Sequence, residues 1–120
     1  MAHALGALFG VHHGLANAIL LHHGMRFNLP LSAPRYRQVA EAFGISIRGK
    51  ADGEIAEETI QAVDEFVGQA GLPRKLSALQ IPKESFPELA RIAVNDPGMK
   101  SNIRRVTDPQ EIIPVFEAAW

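Results

Sequence analysis

The sequence predicts an all-α fold of five to six helices. Three observations carry that expectation. Apolar residues recur at helical spacing, as with Tyr36, Val39, Ala40 and Phe43 at i, i+3, i+4 and i+7. Residues that start and stop helices separate these runs. No stretch alternates apolar and polar residues as a half-buried strand would.

The elements follow in order. Ala2 to Phe9 reads as a short helix closed by Gly10. Gly14 to Phe27 is apolar on nearly every face, through Leu15, Ala16, Ala18, Ile19, Leu20, Leu21 and Met25. Such a helix is central in a bundle or covered by another domain. Asn28-Leu29-Pro30 is expected to end it, because proline disfavours helical backbone in the residue before it. Tyr36 to Phe43 is amphipathic and stops at Gly44. Glu54 to Ala70 is the clearest helix, with Ile55, Thr59, Val63, Phe66, Val67 and Ala70 in one stripe. Gly71-Leu72-Pro73 closes it. Ser85-Phe86-Pro87-Glu88 has capping-box spacing ahead of Ile92 and Val94. Asp96-Pro97-Gly98 reads as a turn. Asp108-Pro109-Gln110-Glu111 opens a last helix, which Pro114 should kink or delay.

Bulk properties narrow the function classes. A 120-residue chain is expected to form one domain, residues 1–120, and to bury roughly two-thirds of its unfolded surface. The net charge of -1, without charge blocks, points to neither nucleic acid nor an anionic membrane as partner. There is no cysteine, hence no disulfide, thiolate metal site or cysteine nucleophile, which fits a cytoplasmic protein. Met1 to Leu21 is apolar, but it lacks a basic start and His12-His13 interrupts it. A buried helix accounts for it better than a signal peptide or a membrane span.

All five histidines, His3, His12, His13, His22 and His23, lie in the first 23 residues. Imidazole is both a metal ligand and a proton carrier near neutral pH. The pairs at 12/13 and 22/23 cannot share one ion, because ten helical residues rise about 15 Å. His3 and His13 differ, since Gly6, Gly10 and a non-helical Val11-His12 would permit a reversal between them. Two imidazoles converging there, one a ligand and one a proton donor, would make chemical sense. The alternative is ordinary histidines packed near helix ends. Elsewhere, Lys100, Arg104 and Arg105 read as a solvated face, Arg48 and Lys50 as surface, Asn17 as a buried hydrogen-bonding residue and Trp120 as a packing anchor.

The residues Met1-Ala2-His3-Ala4-Leu5-Gly6-Ala7, then His13-Gly14-Leu15-Ala16-Asn17-Ala18-Ile19-Leu20-Leu21, then His23 and Met25-Arg26-Phe27-Asn28, resemble the signature of the iron-dependent (group III) alcohol dehydrogenases. That signature is His-Gly-Met-Ala-His-x-Leu-Gly-Ala, a short loop, and Pro-His-Gly-x-Ala-Asn-Ala-Ile-Leu-Leu-Pro-His-Val-Met. The resemblance continues more weakly through Tyr36 to Gly44, Gly71-Leu72-Pro73, Phe86 to Ala90, Asn102-Ile103-Arg104 and Ala118-Ala119-Trp120. The whole chain thus resembles the family's C-terminal helical domain. His12, His22 and Ile103 stand where the family has prolines.

The resemblance implies hydride transfer between NAD(P) and a small alcohol or aldehyde, with Fe(II) or Zn(II) polarising the substrate oxygen. Three histidines and one aspartate would hold the metal. His13 matches the last histidine ligand, and His3 matches a histidine beside the metal that is a candidate for proton relay. The other ligands and the nucleotide-binding domain have no counterpart in this sequence. A single imidazole is not expected to hold the metal, because protein sites supply three or four ligands. The chain alone is therefore expected to be inactive, and to self-associate or to pair with a nucleotide-binding domain through apolar surface left bare. The rival reading is a stand-alone helical interaction module with a histidine-rich, metal-binding start.

Overall fold

The computed structural model describes residues 1–120 as helices and connecting loops, with no strand. The helices are α1 (Ala2–Phe9), α2 (His13–Ser32), α3 (Tyr36–Ala42), α4 (Asp52–Gly68), α5 (Phe86–Asn95), the single turn α6 (Pro97–Lys100) and α7 (Ile113–Ala118). Six of these exceed one turn, in keeping with the five to six expected. Short 3-10 segments lie between α2 and α3, α4 and α5, and before α7.

α2 is the axis of the molecule. Its first half packs with α1, α5 and α7 in the main core, where Leu5, Ala16, Ile19, Leu89, Ile112 and Phe116 are at most 1 % exposed. Met25 and Leu29, in its second half, pack on a smaller core of Tyr36, Ala56 and Ile60, from α3 and α4. The apolar residues on nearly every face of α2 are not all buried. Only Ala16, Ile19, Leu20 and Ser32 are buried, and Leu21 is 48 % exposed.

Two local expectations are corrected. α2 does not stop at Asn28-Leu29-Pro30; it runs through Pro30 to Ser32. Tertiary and side-chain bonds sustain that last turn. The Ser32 hydroxyl donates to the Asn28 carbonyl at 2.8 Å, and the Tyr36 hydroxyl donates to the Met25 carbonyl at 2.8 Å. The Ser85 capping box does not form either. Ser85 belongs to a 3-10 turn, and its hydroxyl donates to the Pro82 carbonyl at 2.6 Å.

Other signals act as read. Gly10 adopts φ 65°, a left-handed conformation open to glycine at little cost, and its N–H closes α1 on the Gly6 carbonyl. Asp108 accepts the Gln110 N–H at 2.9 Å, and Pro114 delays α7, which begins at Ile113 after a 3-10 turn. The stripe on α4 is buried at Ile55, Thr59 and Val63, but Phe66 is 63 % exposed, because the helix outruns its packing partners. Trp120 is tied down by its indole N–H, which donates to the Ile81 carbonyl at 2.9 Å.

Candidate functional site

The reversal at Gly10 to His12 sets the start of α2 beside α1. His12 caps α2 through its Nδ1, which accepts the Gly14 N–H at 3.3 Å. His13 is the first helical residue, and its ring stacks on that of His3, with centroids 4.7 Å apart and planes 22° apart. The sequence allowed the two to converge, and in the fold they do. Both line a cleft of about 300 Å³ that α1, α2 and the α5–α6 junction enclose.

A third group completes the cluster. Asp96, between α5 and α6, accepts from His3 Nδ1 on Oδ2 at 2.5 Å and from the Gly98 N–H on Oδ1 at 2.6 Å. Burial pushes its carboxyl group up, but the His3 hydrogen bond, the Gly98 N–H and nearby positive charge prevail and hold it below the usual carboxylate range. Sequence reading saw only turn chemistry at Asp96. Its partner lies 93 positions away, and nothing local in the sequence signals that contact.

The back of the cleft is polar and fixed. Asn28 on α2 and Asn102 after α6 exchange two amide hydrogen bonds of 2.9 Å each. Asn102 also donates to the Arg104 carbonyl at 2.9 Å. Asn17 is exposed rather than buried. It lines the cleft and donates to the His13 carbonyl at 3.0 Å, because its place one turn into α2 faces the opening. Arg104 is not part of a solvated face. Its guanidinium lies 4.1 Å from the Phe27 ring centroid and donates to Glu111 at 3.1 Å, so it ties the loop to α2 and to the approach to α7. Lys50 likewise is half-buried, donating to both Glu58 oxygens at 2.7 and 2.6 Å.

The other histidines stand apart from the cleft. His22 and His23 lie with ring centroids 3.8 Å apart. His22 Nδ1 is buried without a hydrogen-bond partner, 3.4 Å from Asp64 Oδ1. Burial lowers the His22 pKa, and Arg26 and Arg74 add to that against the opposing pull of Asp64. Burial, then the adjoining His22 and Arg26, push His23 down to about 4.

No three His, Cys, Asp or Glu side chains are grouped to hold a metal ion. In the cleft, His3 Nδ1 is already committed to Asp96, which leaves His13 as the free imidazole. The donors of this chain therefore do not fit a complete iron or zinc site, which needs three or four ligands. An all-helical chain also lacks the strand-turn-helix that cradles a dinucleotide pyrophosphate.

The chain is thus an all-helical domain with paired imidazoles at the mouth of its first helix pair. Comparison with known proteins gives its family. The C-terminal model of the Fe-containing alcohol dehydrogenase family matches residues 1–120, and the chain belongs to that family. It is 35 % identical over 120 residues to lactaldehyde reductase of Escherichia coli (strain K12), and 36 % identical over 120 residues to 1,3-propanediol dehydrogenase of Klebsiella pneumoniae. Each match covers 100 % of this chain and 31 % of the relative. The crystal structure of a 1,3-propanediol oxidoreductase superposes with a TM-score of 0.94 at 35 % identity, over 99 % of this chain and 31 % of that one. The chain thus spans 31 % of the length of the curated relatives it matches. No helix is long and apolar enough to cross a membrane.

Proposed function

We propose that this chain forms the helical, metal-side wall of the active-site cleft of an NAD(P)-linked, metal-dependent alcohol dehydrogenase in the cytoplasm. Its substrate is a small alcohol or aldehyde, the class to which the compounds in the relatives' names belong. The observation that carries the reading is the His3–His13 stack at the cleft, with Asp96 bonded to His3. His13 supplies one ligand to a metal, Fe(II) or Zn(II), whose other ligands come from residues outside this sequence. Such an ion, when bound, polarises the substrate oxygen as a Lewis acid. His3, beside it, lies on the path by which the substrate hydroxyl exchanges its proton. Asn17 and the Asn28–Asn102 pair shape the floor of the cleft. The chain is one domain that works with a nucleotide-binding portion, and by itself it is inactive and self-associates through its bare apolar surface.

Two measurements test this. In the first, the purified chain and its His13→Ala variant are titrated with Fe(II) and Zn(II). No stoichiometric binding by either is expected. Tight binding lost in His13→Ala would show that the chain completes a metal site by itself, and would favour the stand-alone module. In the second, the chain replaces the matching 31 % of E. coli lactaldehyde reductase. The chimera is expected to bind metal and to reduce aldehydes with NAD(P)H, and both should be lost in His13→Ala. A folded chimera that binds metal equally well with and without His13 would overturn the assignment.

A further inference from the structure

The function proposed above gives Asp96 no role of its own, yet both of its carboxylate oxygens are hydrogen-bonded in the cleft. We propose that Asp96 is the positioning residue of His3: it selects the Nδ1–H tautomer and fixes the ring, so that Nε2 carries the lone pair. The catalytic consequence of this pairing rests on the function proposed above, whereas the pairing itself is a property of this chain.

The chemistry of the contact sets the tautomer. An ionised carboxylate only accepts hydrogen bonds, so the His3 nitrogen 2.5 Å from Oδ2 must carry the hydrogen. In the neutral ring the lone pair is then on Nε2, the arrangement needed for a group that takes up a proton. The carboxylate is itself locked. Its side chain is 11 % exposed, against 67 % for His3, and Oδ1 is held by the Gly98 N–H. Glycine at residue 98 gives the carboxylate room, since a Cβ there would lie 2.9 Å from Asp96 Oδ1 and would have to displace it. The His13 ring, 4.7 Å away and nearly parallel, limits the remaining freedom of His3 about that bond.

Asp96 also caps α6, and a cap alone would explain its presence. Asparagine separates the two roles, because it caps helices as well as aspartate does. In Asp96→Asn the amide oxygen keeps the Gly98 N–H, which turns the amide NH2 toward His3. A donor facing Nδ1 demands a lone pair there, so the hydrogen moves to Nε2. Asp96→Ser also keeps a cap, but it is too short to reach the ring.

The test is a long-range 1H–15N NMR spectrum of the 120-residue chain labelled at histidine, at about pH 9, above the ordinary imidazole range. The His3 signals are assigned by their loss in His3→Gln. Wild type is expected to show a protonated Nδ1 and a lone-pair Nε2, Asp96→Asn the reverse, and Asp96→Ser an average of the two. Circular dichroism should show the same helix content in all three. A wild-type ring that is averaged or protonated at Nε2 would overturn the proposal, as would a folded Asp96→Asn chain with the wild-type pattern. Should Asp96→Asn not fold, the wild-type spectrum against Asp96→Ser decides. In the lactaldehyde reductase chimera, Asp96→Asn is expected to lower kcat on the order of 100-fold with KM little changed, the scale of a lost proton-transfer group. The expected tautomers beside an inactive wild-type chimera would count against the proposed function, not against the Asp96–His3 pair.

Discussion

His23 shows how one side chain couples this fold to pH. It lies on α2, half-buried, and lines a pocket shared with Arg26 and with Pro114 and Val115 of α7. Burial, the neighbouring His22 and Arg26 bring its pKa from 6.5 to about 4. Burial moves His22 in the same direction. The sign follows from proton counting. Between pH 6.5 and about 4 the unfolded chain binds a proton that the folded imidazole refuses, so stability falls as pH drops through that window and levels off below it. Thermal midpoints measured from pH 7 to 4 are expected to decline for the wild-type chain and to decline less for His23→Gln. Parallel curves for the two proteins would show that His23 titrates normally in the fold. The sequence placed His23 in an apolar helix, but not against Arg26 and a second imidazole. Neighbouring residues point about 100° apart around a helix, yet the two rings lie 3.8 Å apart.

At the scale of elements, legibility depended on whether the deciding contact was local. Gly10, Asp108 and Pro114 act within a few residues of themselves, and each did what its chemistry dictates. Pro30 and Ser85 also carry strong local signals, yet distant or competing partners overrode them. The last turn of α2 rests on Tyr36 and on the small core beneath it. Ser85 has helical backbone within a 3-10 turn rather than the extended backbone of a cap, and its hydroxyl donates to the Pro82 carbonyl. The cleft divides the same way. The convergence of His3 and His13 was readable from the glycines between them, whereas Asp96 comes from the far end of the chain. α7 is the extreme case of tertiary control. At six residues it is too short to hold itself as a helix in water. Phe116, fully buried and stacked 5.9 Å from Phe86, fastens it to α5. The Leu76 N–H, 2.9 Å from the Ala119 carbonyl, fastens its end. Phe116→Ala is expected to cost about 3–5 kcal/mol in urea unfolding, the range for a large aromatic lost from a core. A loss below about 1 kcal/mol would mean that α7 contributes little to the cooperative unit.

The whole molecule is flatter and more exposed than its length requires. Its Cα radius of gyration is 14.7 Å, against about 13.6 Å expected for a compact domain of this length. Its principal extents are 44 × 33 × 20 Å. Its accessible surface is 6866 Å², against about 6,400 Å² expected for its mass. The difference has an identifiable source, because the main core and the smaller core lie side by side along α2 rather than closing into one. Large apolar side chains remain outside both. Phe66 is 63 % exposed and meets the 41 % exposed Phe43 edge to face at 5.9 Å, while Leu21 and Leu31 on α2 are 48 % and 55 % exposed. Adjacent aromatic rings in water form the kind of surface that associates. With a net charge of only -1, long-range repulsion gives little opposition. Sedimentation velocity of the purified chain over about a tenfold range near its highest soluble concentration should therefore show a weight-average coefficient that rises with concentration. Phe66→Ser removes the more exposed ring without touching either core, so it is expected to reduce that rise while leaving the thermal midpoint nearly unchanged. A concentration-independent monomer would overturn the association. An unaltered rise in Phe66→Ser would move the contact away from the Phe43–Phe66 pair, toward the exposed leucines of α2.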